Sequence, residues 1–405
     1  MLKFHPLKVA SIERLAQDAV CVTLEIPQAL REDFKFDAGQ YLTVRRMIGG
    51  KEERRTYSIV TAPSSLAAPP SLAAPPSLTA PPSLTALGND AARAGVTAPG
   101  GAALRIGVRE QSGGRMSREI ATVLRPGDWL DVGTPNGRFR TAVDPGRARS
   151  YVAFAAGSGI TPVLSLITEL LAREPGSQVT LVYGNRSVAR TMFLEDTLAL
   201  KNRYLDRFAV HFVMSREPQQ TSLLNGRIDG AKVAELAGKI FDPDTVDEYF
   251  VCGPGSMVDD VRNTLKSLSE GKPIRFERFA AGTSPAAAVG TAAGANVTAG
   301  ANAATSNGAA ATLATISVTM DGRRRTFPMS PDDPAVLDAG ERAGLALPFS
   351  CRSGICATCR VKIIAGSAVM KHNIALEPWE IEAGFLLCCQ ARPTSSTLEL
   401  SYDEK

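Results

Sequence analysis

Histidine is scarce in this chain, which contains three histidines in 405 residues. His5, His211 and His372 are scattered along the sequence, and no paired Glu-x-x-His motifs occur. Helical-bundle proteins use such pairs of motifs to hold a di-iron centre. The sequence therefore excludes an oxygen-activating centre of this kind within the chain.

Long apolar stretches are also missing. No run approaches the roughly 18 to 20 apolar residues that a membrane-spanning helix needs. Residues 1–6 do not open an apolar export signal. We therefore expect a cytoplasmic protein that does not enter a membrane.

The balance of charge and the odd number of cysteines exclude two further classes. The 45 basic and 41 acidic residues give a net charge of +4, which is too even for a nucleic-acid-binding surface. Four of the seven cysteines fall into one pattern near the end of the chain. The odd remainder does not suggest a disulfide framework. The length allows two or three domains.

The cysteines near the end of the chain have an informative spacing. Cys351, Cys356 and Cys359 follow the pattern C-x4-C-x2-C, and Cys388 and Cys389 lie further on. This is the spacing of plant-type [2Fe–2S] clusters. A structural zinc site, which prefers paired C-x2-C units, and plain thiols are the less favoured alternatives. Because neighbouring residues of an extended segment point to opposite faces, only one of the two adjacent cysteines can be the fourth ligand.

Two low-complexity stretches punctuate the chain. Residues 63–101 contain near-copies of Pro-Pro-Ser-Leu, which are too poor in large apolar residues to build a core. They predict a disordered or partly polyproline surface insertion. Residues 281–311 are almost all Ala, Gly, Thr, Asn and Ser, the composition of a flexible linker. A small cluster domain, residues 312–405, is predicted to follow.

The pattern of apolar residues changes between the first two domains. Residues 7–137 contain short β-branched or apolar runs between turn residues, which predicts an antiparallel β-barrel for residues 1–145. From residue 150 onwards, buried-strand runs alternate with helical stretches. This alternation predicts a doubly wound α/β domain with a parallel sheet for residues 146–280.

Two motifs of the first domain favour a flavin. Residues 54–58 place Arg55, Tyr57 and Ser58 at the end of a predicted strand. A flavin needs a cation for its phosphates, an aromatic ring against its ring system and a hydrogen-bond partner at its reactive nitrogen. An edge strand with solvated arginines is the alternative. The stretch 113–117, Gly-Gly-Arg-Met-Ser, precedes a predicted helix start, where free N–H groups and Ser117 can hold an anion.

The second domain carries a candidate dinucleotide site. Residues 157–162, Gly-Ser-Gly-Ile-Thr-Pro, join a strand to a helix start, although Pro162 replaces the last glycine of the usual fingerprint. A generic glycine turn is the alternative. Cys252-Gly253-Pro254 ends a later strand at the same edge, where Cys252 alone would be read as a buried thiol. Arg186 and Arg216 also follow strands there, either as 2′-phosphate partners or as solvated arginines.

Together these motifs resemble the ferredoxin–NADP reductase superfamily with a fused C-terminal plant-type ferredoxin. In that superfamily Arg-x-Tyr-Ser and Gly-Gly-x-x-Ser bind FAD, Gly-Ser-Gly-Ile-Thr-Pro binds NADPH, and Cys-Gly-Pro lies beside the nicotinamide. The resemblance implies an α+β ferredoxin-like (β-grasp) fold for residues 312–405. It also implies Cys389 as the fourth ligand, because residues 384–389 with Pro393 match the ferredoxin frame. Cys388 is then a small buried hydrophobe.

The predicted site residues fall into three groups, with Ser58 and Cys252 as the catalytic pair. For FAD they are Arg55, Tyr57, Ser58, Gly113, Gly114 and Ser117; for NADPH they are Gly157, Gly159, Thr161, Pro162, Arg186, Arg216, Cys252, Gly253 and Pro254; for the cluster they are Cys351, Cys356, Cys359 and Cys389.

One branch of the superfamily is especially similar. Residues 1–58 and 376–393, among others, resemble the reductase components of bacterial phenylacetyl-CoA epoxidases, whereas the insertion and the long linker depart from them. The resemblance implies electron transfer from NADPH through FAD and the [2Fe–2S] cluster to the di-iron oxygenase subunits of a multicomponent complex. The alternatives are a reductase for another oxygenase, hydroxylase or desaturase, and a non-enzymatic iron–sulfur redox sensor.

Overall fold

The structure is a computed structural model that describes residues 3–67, 102–279, 296–299 and 313–404. Most of the predicted insertion and most of the predicted linker therefore lie outside the described residues. Within the described ranges, no helix is long and apolar enough to cross a membrane.

The first domain is an antiparallel barrel, as predicted. Its strands are β1 (Phe4–Ala16), β2 (Ala19–Ile26), β3 (Tyr41–Ile48), β4 (Lys51–Ser58), β5 (Ala102–Arg109) and β6 (Trp129–Gly133), in the order β4-β3-β6-β1-β2-β5. A bridge between Ile59 and Ile106 joins the two ends of this order and closes the barrel. Alternate residues such as Leu7 and Val9 point into the core, which is the period-2 pattern of half-buried strands.

Two helices belong to this part of the chain. Helix α1 (Pro63–Ala67) follows β4, and helix α2 (Arg115–Thr122) follows β5. The backbone N–H of Ser64 donates to Glu169 of the second domain at 2.8 Å. This hydrogen bond attaches the start of the predicted insertion to the second domain.

The second domain is a five-stranded parallel sheet, which confirms the doubly wound prediction. Its strands are β7 (Ser150–Ala156), β8 (Gln178–Asn185), β9 (Phe208–Met214), β10 (Glu248–Pro254) and β11 (Ile274–Phe279), in the order β11-β10-β7-β8-β9. The helices are α3 (Ile160–Arg173), α4 (Leu194–Arg203), α5 (Gly230–Leu236) and α6 (Gly255–Leu268). The carboxyl ends of all five strands meet at one edge, where ligands of such sheets bind.

The barrel and the parallel-sheet domain share a core. One apolar cluster contains Cys21 and Val60 from the barrel and Phe193 and Ile167 from the second domain. Gly107 of β5 faces this junction, where a Cβ atom would lie 2.7 Å from Thr161 and 2.6 Å from Phe193. Only glycine allows β5 to approach α3 this closely.

The last domain is an α+β fold around a mixed sheet, in agreement with the ferredoxin-like prediction. Its elements are β12 (Asn296–Ala299), β13 (Ala314–Met320), β14 (Arg323–Met329), α7 (Val336–Arg342), β15 (Arg360–Met370), α8 (Pro378–Glu382), β16 (Phe385–Leu387), β17 (Ala391–Pro393) and β18 (Thr397–Ser401). Strands β13 and β18 are parallel, whereas β15 is antiparallel to β18. Strand β12 lies within the predicted linker and pairs with β15, so this part of the linker belongs to the sheet of the last domain.

Candidate functional site

The predicted flavin residues gather at one end of the barrel. Glu53 of β4 accepts from Arg55 at 3.1 Å and from Arg115, the first residue of α2, at 3.2 Å. The Arg55 side chain is 45% exposed, so its guanidinium is accessible to an anion. Two cations therefore flank the N-terminus of α2, whose first N–H groups have no partner within the helix. This is a suitable place for the phosphates of FAD.

The glycine turn before α2 explains the Gly-Gly-x-x-Ser motif. Gly113 has a φ of +73°, and a Cβ atom on Gly114 would lie 2.6 Å from the Ser117 hydroxyl. The Ser117 hydroxyl accepts from the N–H of Gln111 at 3.1 Å and lies 3.4 Å from the carbonyl of Gly114. In this structure Ser117 braces the turn and leaves the helix N–H groups to meet an anion.

The two predicted catalytic residues both neighbour Glu277 at the junction of the first two domains. Ser58 ends β4 and is 4% exposed, and its hydroxyl lies 3.5 Å from the Glu277 carboxylate. Glu277 on β11 pairs in register with the fully buried Cys252 on β10. Ser58, Cys252 and Glu277 therefore form one group between the barrel and the sheet.

Glu277 was not among the predicted site residues. Its sequence signal was its position at the carboxyl end of the last parallel strand, the edge that also carries Cys252. Burial raises the pKa of Glu277 to about 8, so the carboxyl group holds a proton at neutral pH. Burial, with the nearby Glu277, also raises the pKa of Cys252, which therefore remains a neutral thiol.

The predicted nucleotide turn packs directly against Cys252. A Cβ atom on Gly159 would lie 2.2 Å from the carbonyl oxygen of Cys252, so no side chain fits there. Gly157 has a φ of +56°, and its carbonyl accepts from the Tyr183 hydroxyl at 2.9 Å. The buried Thr161 donates to the carbonyl of Ser158 at 2.9 Å. These contacts fix the turn at the N-terminus of α3, which lies at the carboxyl edge of the sheet.

Further residues complete this edge. Pro162 lies in the first turn of α3, where its missing N–H costs no helix hydrogen bond. Gly253 and Pro254 end β10, and a Cβ atom on Gly253 would lie 2.8 Å from the Met257 sulfur. Sequence reasoning missed Arg109 at the end of β5, whose guanidinium would lie 3.8 Å from a Cβ atom on Gly157. A barrel residue thus brings a cation to the dinucleotide turn.

Arg186 and Arg216 lie side by side after strands β8 and β9. The N–H of Arg216 donates to the carbonyl of Arg186 at 2.9 Å, and both side chains are exposed. Their backbone positions are adjacent, as the parallel topology requires. The structure therefore allows both guanidinium groups to reach one nucleotide.

We expect Arg186→Ala and Arg216→Ala to raise the KM for NADPH more than the KM for NADH. Because both arginines are exposed, the expected loss is roughly tenfold, about 1.5 kcal/mol, the lower end for a hydrogen bond to a charged group. Steady-state kinetics with both nucleotides measure it. Arg203→Ala, an exposed arginine on α4, is the control. Equal losses with NADPH and NADH would contradict a 2′-phosphate contact.

The four predicted cluster ligands form two pairs of thiols. Cys351 lies within hydrogen-bonding reach of Cys356, and Cys359 lies within reach of Cys389. In a [2Fe–2S] cluster each iron is bound by two protein thiolates in addition to the two bridging sulfides. Two pairs of cysteines therefore suit the two irons. The N–H of Ser353 points at the Cys351 sulfur at 3.4 Å. The donor set therefore fits the cluster.

Cys388 lies on the other side of its segment. It is 0% exposed within the apolar core of the last domain, and its sulfur lies beside the Tyr402 hydroxyl. The side chain of Gln390 donates instead to the Cys389 sulfur at 3.5 Å. The assignment of Cys389 as the fourth ligand stays a prediction, and this geometry supports it.

The cluster loop is docked on the flavin end of the barrel. The Tyr41 hydroxyl donates to the carbonyl of Cys356 at 3.1 Å. Arg262 of α6 donates to Glu377 at 2.8 Å, and Arg138 of the barrel domain donates to Glu380. The predicted cluster site and the predicted flavin site therefore face each other across a domain boundary.

Two family models match the chain. Residues 318–394 match the 2Fe-2S iron-sulfur cluster binding domain, and residues 154–263 match the oxidoreductase NAD-binding domain. With the flavin-type barrel, they define a flavin- and iron–sulfur-containing reductase that carries electrons from a nicotinamide dinucleotide to a [2Fe–2S] cluster.

Full-length relatives identify the family. The chain is 36% identical over 407 residues to one subunit of the 1,2-phenylacetyl-CoA epoxidase of Escherichia coli (strain K12), and the match covers 100% of this chain and 99% of that protein. It belongs to the family of oxygenase reductase components that includes this epoxidase subunit. The 2Fe-2S and oxidoreductase NAD-binding domains within this family make the chain an enzyme, and the redox-sensor alternative is not supported.

Two further comparisons agree. The ferredoxin reductase component of the 3-ketosteroid-9-alpha-monooxygenase of Mycobacterium tuberculosis (strain CDC 1551 / Oshkosh) is 32% identical over 306 residues, 75% of this chain and 76% of that protein. A solved structure of phthalate dioxygenase reductase matches with a TM-score of 0.54 and 23% identity over 98% of each chain. This structural match shows the shared fold.

Proposed function

We propose that the chain is the reductase of a 1,2-phenylacetyl-CoA epoxidase, passing electrons from NADPH through FAD and the [2Fe–2S] cluster to di-iron oxygenase subunits. The observation that carries this proposal is the 36% identity, over the whole chain, to the epoxidase protein of Escherichia coli. The docked cluster loop supports the electron route, because the carbonyl of Cys356 accepts from Tyr41, which pairs in register with Ser58 of the flavin motif.

NADPH gives up two electrons as a hydride, whereas a [2Fe–2S] cluster accepts one. This mismatch explains why the chain has a flavin domain between the nucleotide and the cluster. When bound, FAD supplies the chemistry that takes two electrons as a hydride and releases them one at a time. The residues around Gly157 and Gly159 hold the nucleotide with its nicotinamide near Cys252. Ser58 and the protonated Glu277 offer hydrogen bonds at the same junction, and Arg55 with the α2 N-terminus holds the FAD phosphates.

Burial of this junction serves the transfer. Cys252 is 0% exposed and Ser58 is 4% exposed, so the reacting atoms would be shielded from water. Exclusion of water protects a reduced flavin from side reactions and strengthens the local hydrogen bonds. The neutral Cys252 thiol also avoids placing a negative charge beside the protonated Glu277.

Reconstitution tests the acceptor. NADPH and this protein should support oxygen-dependent epoxidation of phenylacetyl-CoA only when the cognate oxygenase subunits are present, with product formation as the measurement. The Cys389→Ser variant is the control for electron flow through the cluster. If an active cognate oxygenase turns over with another reductase but not with this one, the phenylacetyl-CoA assignment is wrong.

A different oxygenase acceptor is the second candidate. The 32% identity to a reductase component of a steroid monooxygenase favours it, because the same reductase architecture serves that enzyme. The alternative predicts that the protein oxidises NADPH with dyes but gives no epoxide with any phenylacetyl-CoA oxygenase.

A further inference from the structure

The cluster loop, residues 349–359, is only partly covered by the first two domains. On the covered part, the Tyr41 hydroxyl donates to the carbonyl of Cys356 at 3.1 Å. The Arg54 guanidinium lies over the Phe349 ring, 4.0 Å from its centre. Arg54 belongs to β4, the strand that bears the predicted flavin motif, so the electron enters the cluster domain on this part.

Another part of the loop is exposed although all three domains are in place. Ser353 of the loop is exposed, and so are Lys371 and His372, which directly follow β15. The two segments lie against each other, because a Cβ atom on Gly354 would lie 2.8 Å from the carbonyl oxygen of His372. We call Ser353, Lys371 and His372 the outer patch.

The outer patch is close to the predicted cluster ligands. The N–H of the exposed Ser353 points at the Cys351 sulfur at 3.4 Å. The carbonyl of the preceding Arg352 accepts from the Gln390 side chain at 2.9 Å, and the same amide donates to the Cys389 sulfur at 3.5 Å. Cys351 and Cys389 belong to different pairs of ligands. Both predicted iron positions therefore lie just beneath exposed residues.

Charged groups at the outer patch leave one cation free. Arg352 marks the border with the covered part, since its guanidinium lies over the Phe349 ring at 4.3 Å. It pairs with Asp338 at 2.8 Å and with Glu341, so both carboxylates already have a cation. Within the described ranges, no hydrogen bond or ion pair holds the Lys371 ammonium. The outer patch therefore suits a protein surface that presents carboxylates.

Several contacts hold the cluster domain in its docked position. Besides the contacts of Tyr41 and Arg54, they are the hydrogen bond from Arg278 to the carbonyl of Ile374, the ion pair of Arg262 with Glu377 and that of Arg138 with Glu380. None of them involves a residue of the outer patch. An acceptor that needed the covered part would have to break all of them in every cycle.

We propose that the outer patch is the docking surface for the oxygenase subunit that accepts the electron, an inference that rests on the proposed function. This subunit presents carboxylates to Lys371 and binds while the cluster domain stays docked on the barrel. The electron enters on the part that Tyr41 covers and leaves beside Ser353. One electron passes from the reduced cluster to the acceptor, and no bond forms or breaks.

The decisive test holds the cluster domain in its docked position. Arg262→Cys/Glu377→Cys replaces an ion pair between the second domain and the cluster domain, and a bifunctional maleimide then joins the two thiols in the full-length holoprotein. The other contacts across this boundary are left in place. The matched control is the same variant capped with N-ethylmaleimide, and mass spectrometry verifies the link.

Electron exit is measured on its own. Both proteins are reduced beforehand without oxygen and mixed rapidly with the cognate oxygenase subunits, and oxidation of the cluster is followed by visible absorbance. We expect the linked protein to react within twofold of the capped control and to bind the oxygenase with the same Kd. A larger loss of rate or affinity would show that the acceptor needs the covered part, which overturns the proposal.

A charge reversal tests the outer patch itself. Lys371→Glu is expected to raise the Kd for the oxygenase subunits about tenfold and to weaken its dependence on salt. Iron content and the reduction of the cluster by NADPH should stay native. The control is Lys239→Glu, on an exposed lysine of the second domain, which should keep the native Kd. An unchanged Kd in Lys371→Glu overturns the proposal. If this variant loses its cluster, the linked protein decides alone.

These measurements separate the inference from the proposed function. If the proposed function is wrong, the capped control will neither bind nor reduce the oxygenase subunits of phenylacetyl-CoA epoxidation. A loss confined to the linked protein, or an effect missing in Lys371→Glu, contradicts this inference alone.

Discussion

Cys389→Ser is expected to abolish assembly of the [2Fe–2S] cluster, whereas Cys388→Ser is expected to retain it. The Cys389 sulfur pairs with Cys359 and receives the Gln390 amide at 3.5 Å. Losing one of four thiolates leaves one iron with a single protein ligand. The Cys388 sulfur is instead enclosed in the apolar core beside Tyr402.

Iron content, electron paramagnetic resonance and visible absorbance measure the outcome. The two variants are matched controls for each other, since they make the same substitution at neighbouring positions. Cys388→Ser places a hydroxyl in an apolar core and is expected to cost about 1–3 kcal/mol of unfolding free energy without loss of iron. The reverse result, iron lost only in Cys388→Ser, would move the fourth ligand to Cys388.

Gly159→Ala is expected to slow the reduction of the flavin by NADPH on the order of 100-fold, corresponding to about 3 kcal/mol. The added Cβ atom would lie 2.2 Å from the carbonyl oxygen and 2.5 Å from the carbonyl carbon of Cys252. Both are backbone atoms, so no rotamer change relieves the overlap. The turn and Cys252 must separate, which displaces the nicotinamide site.

Rapid-mixing measurement of flavin absorbance gives the rate, and thermal unfolding reports stability. The control is Gly146→Ala, because a Cβ atom there meets only the Asp144 carboxylate at 3.5 Å. Flavin and iron contents should stay native in both variants, since neither glycine belongs to the predicted phosphate site of FAD or to the predicted cluster ligands. A native reduction rate in Gly159→Ala would show that the turn does not position the nucleotide.

Most of the fold and much of the candidate site could be predicted from the local spacing of residues in the sequence. The C-x4-C-x2-C pattern and the glycine turn at 157–159 are each set by a few consecutive residues, so the sequence displays them directly. The parallel sheet was predictable because buried strands repeat with helices between them. Parallel topology in turn predicts that Arg186 and Arg216 lie at the same sheet edge.

Contacts between distant segments could not be predicted in this way. Tyr41 and Cys356 are 315 residues apart, and nothing near Tyr41 distinguishes it from any buried tyrosine at the start of a strand. Glu277 likewise depends on the docking of two domains, since its partner Ser58 is 219 residues away. Strand β12 was missed because its composition is that of a linker, and its pairing with β15 is a tertiary effect.

The closure of the barrel has a consequence for engineering. Beside the Ile59–Ile106 bridge, the N–H of Val60 donates to the carbonyl of Arg105 at 2.9 Å, and the Ser165 hydroxyl donates to the carbonyl of Thr61 at 2.8 Å. The chain therefore leaves β4 and returns to β5 at two anchored points that lie close together. A foreign domain or fluorescent reporter inserted between them closes a loop whose entropic cost rises by only about 0.6 kcal/mol per doubling of length. The connection between β4 and β5 is therefore a position where a reporter can be inserted at a small entropic cost.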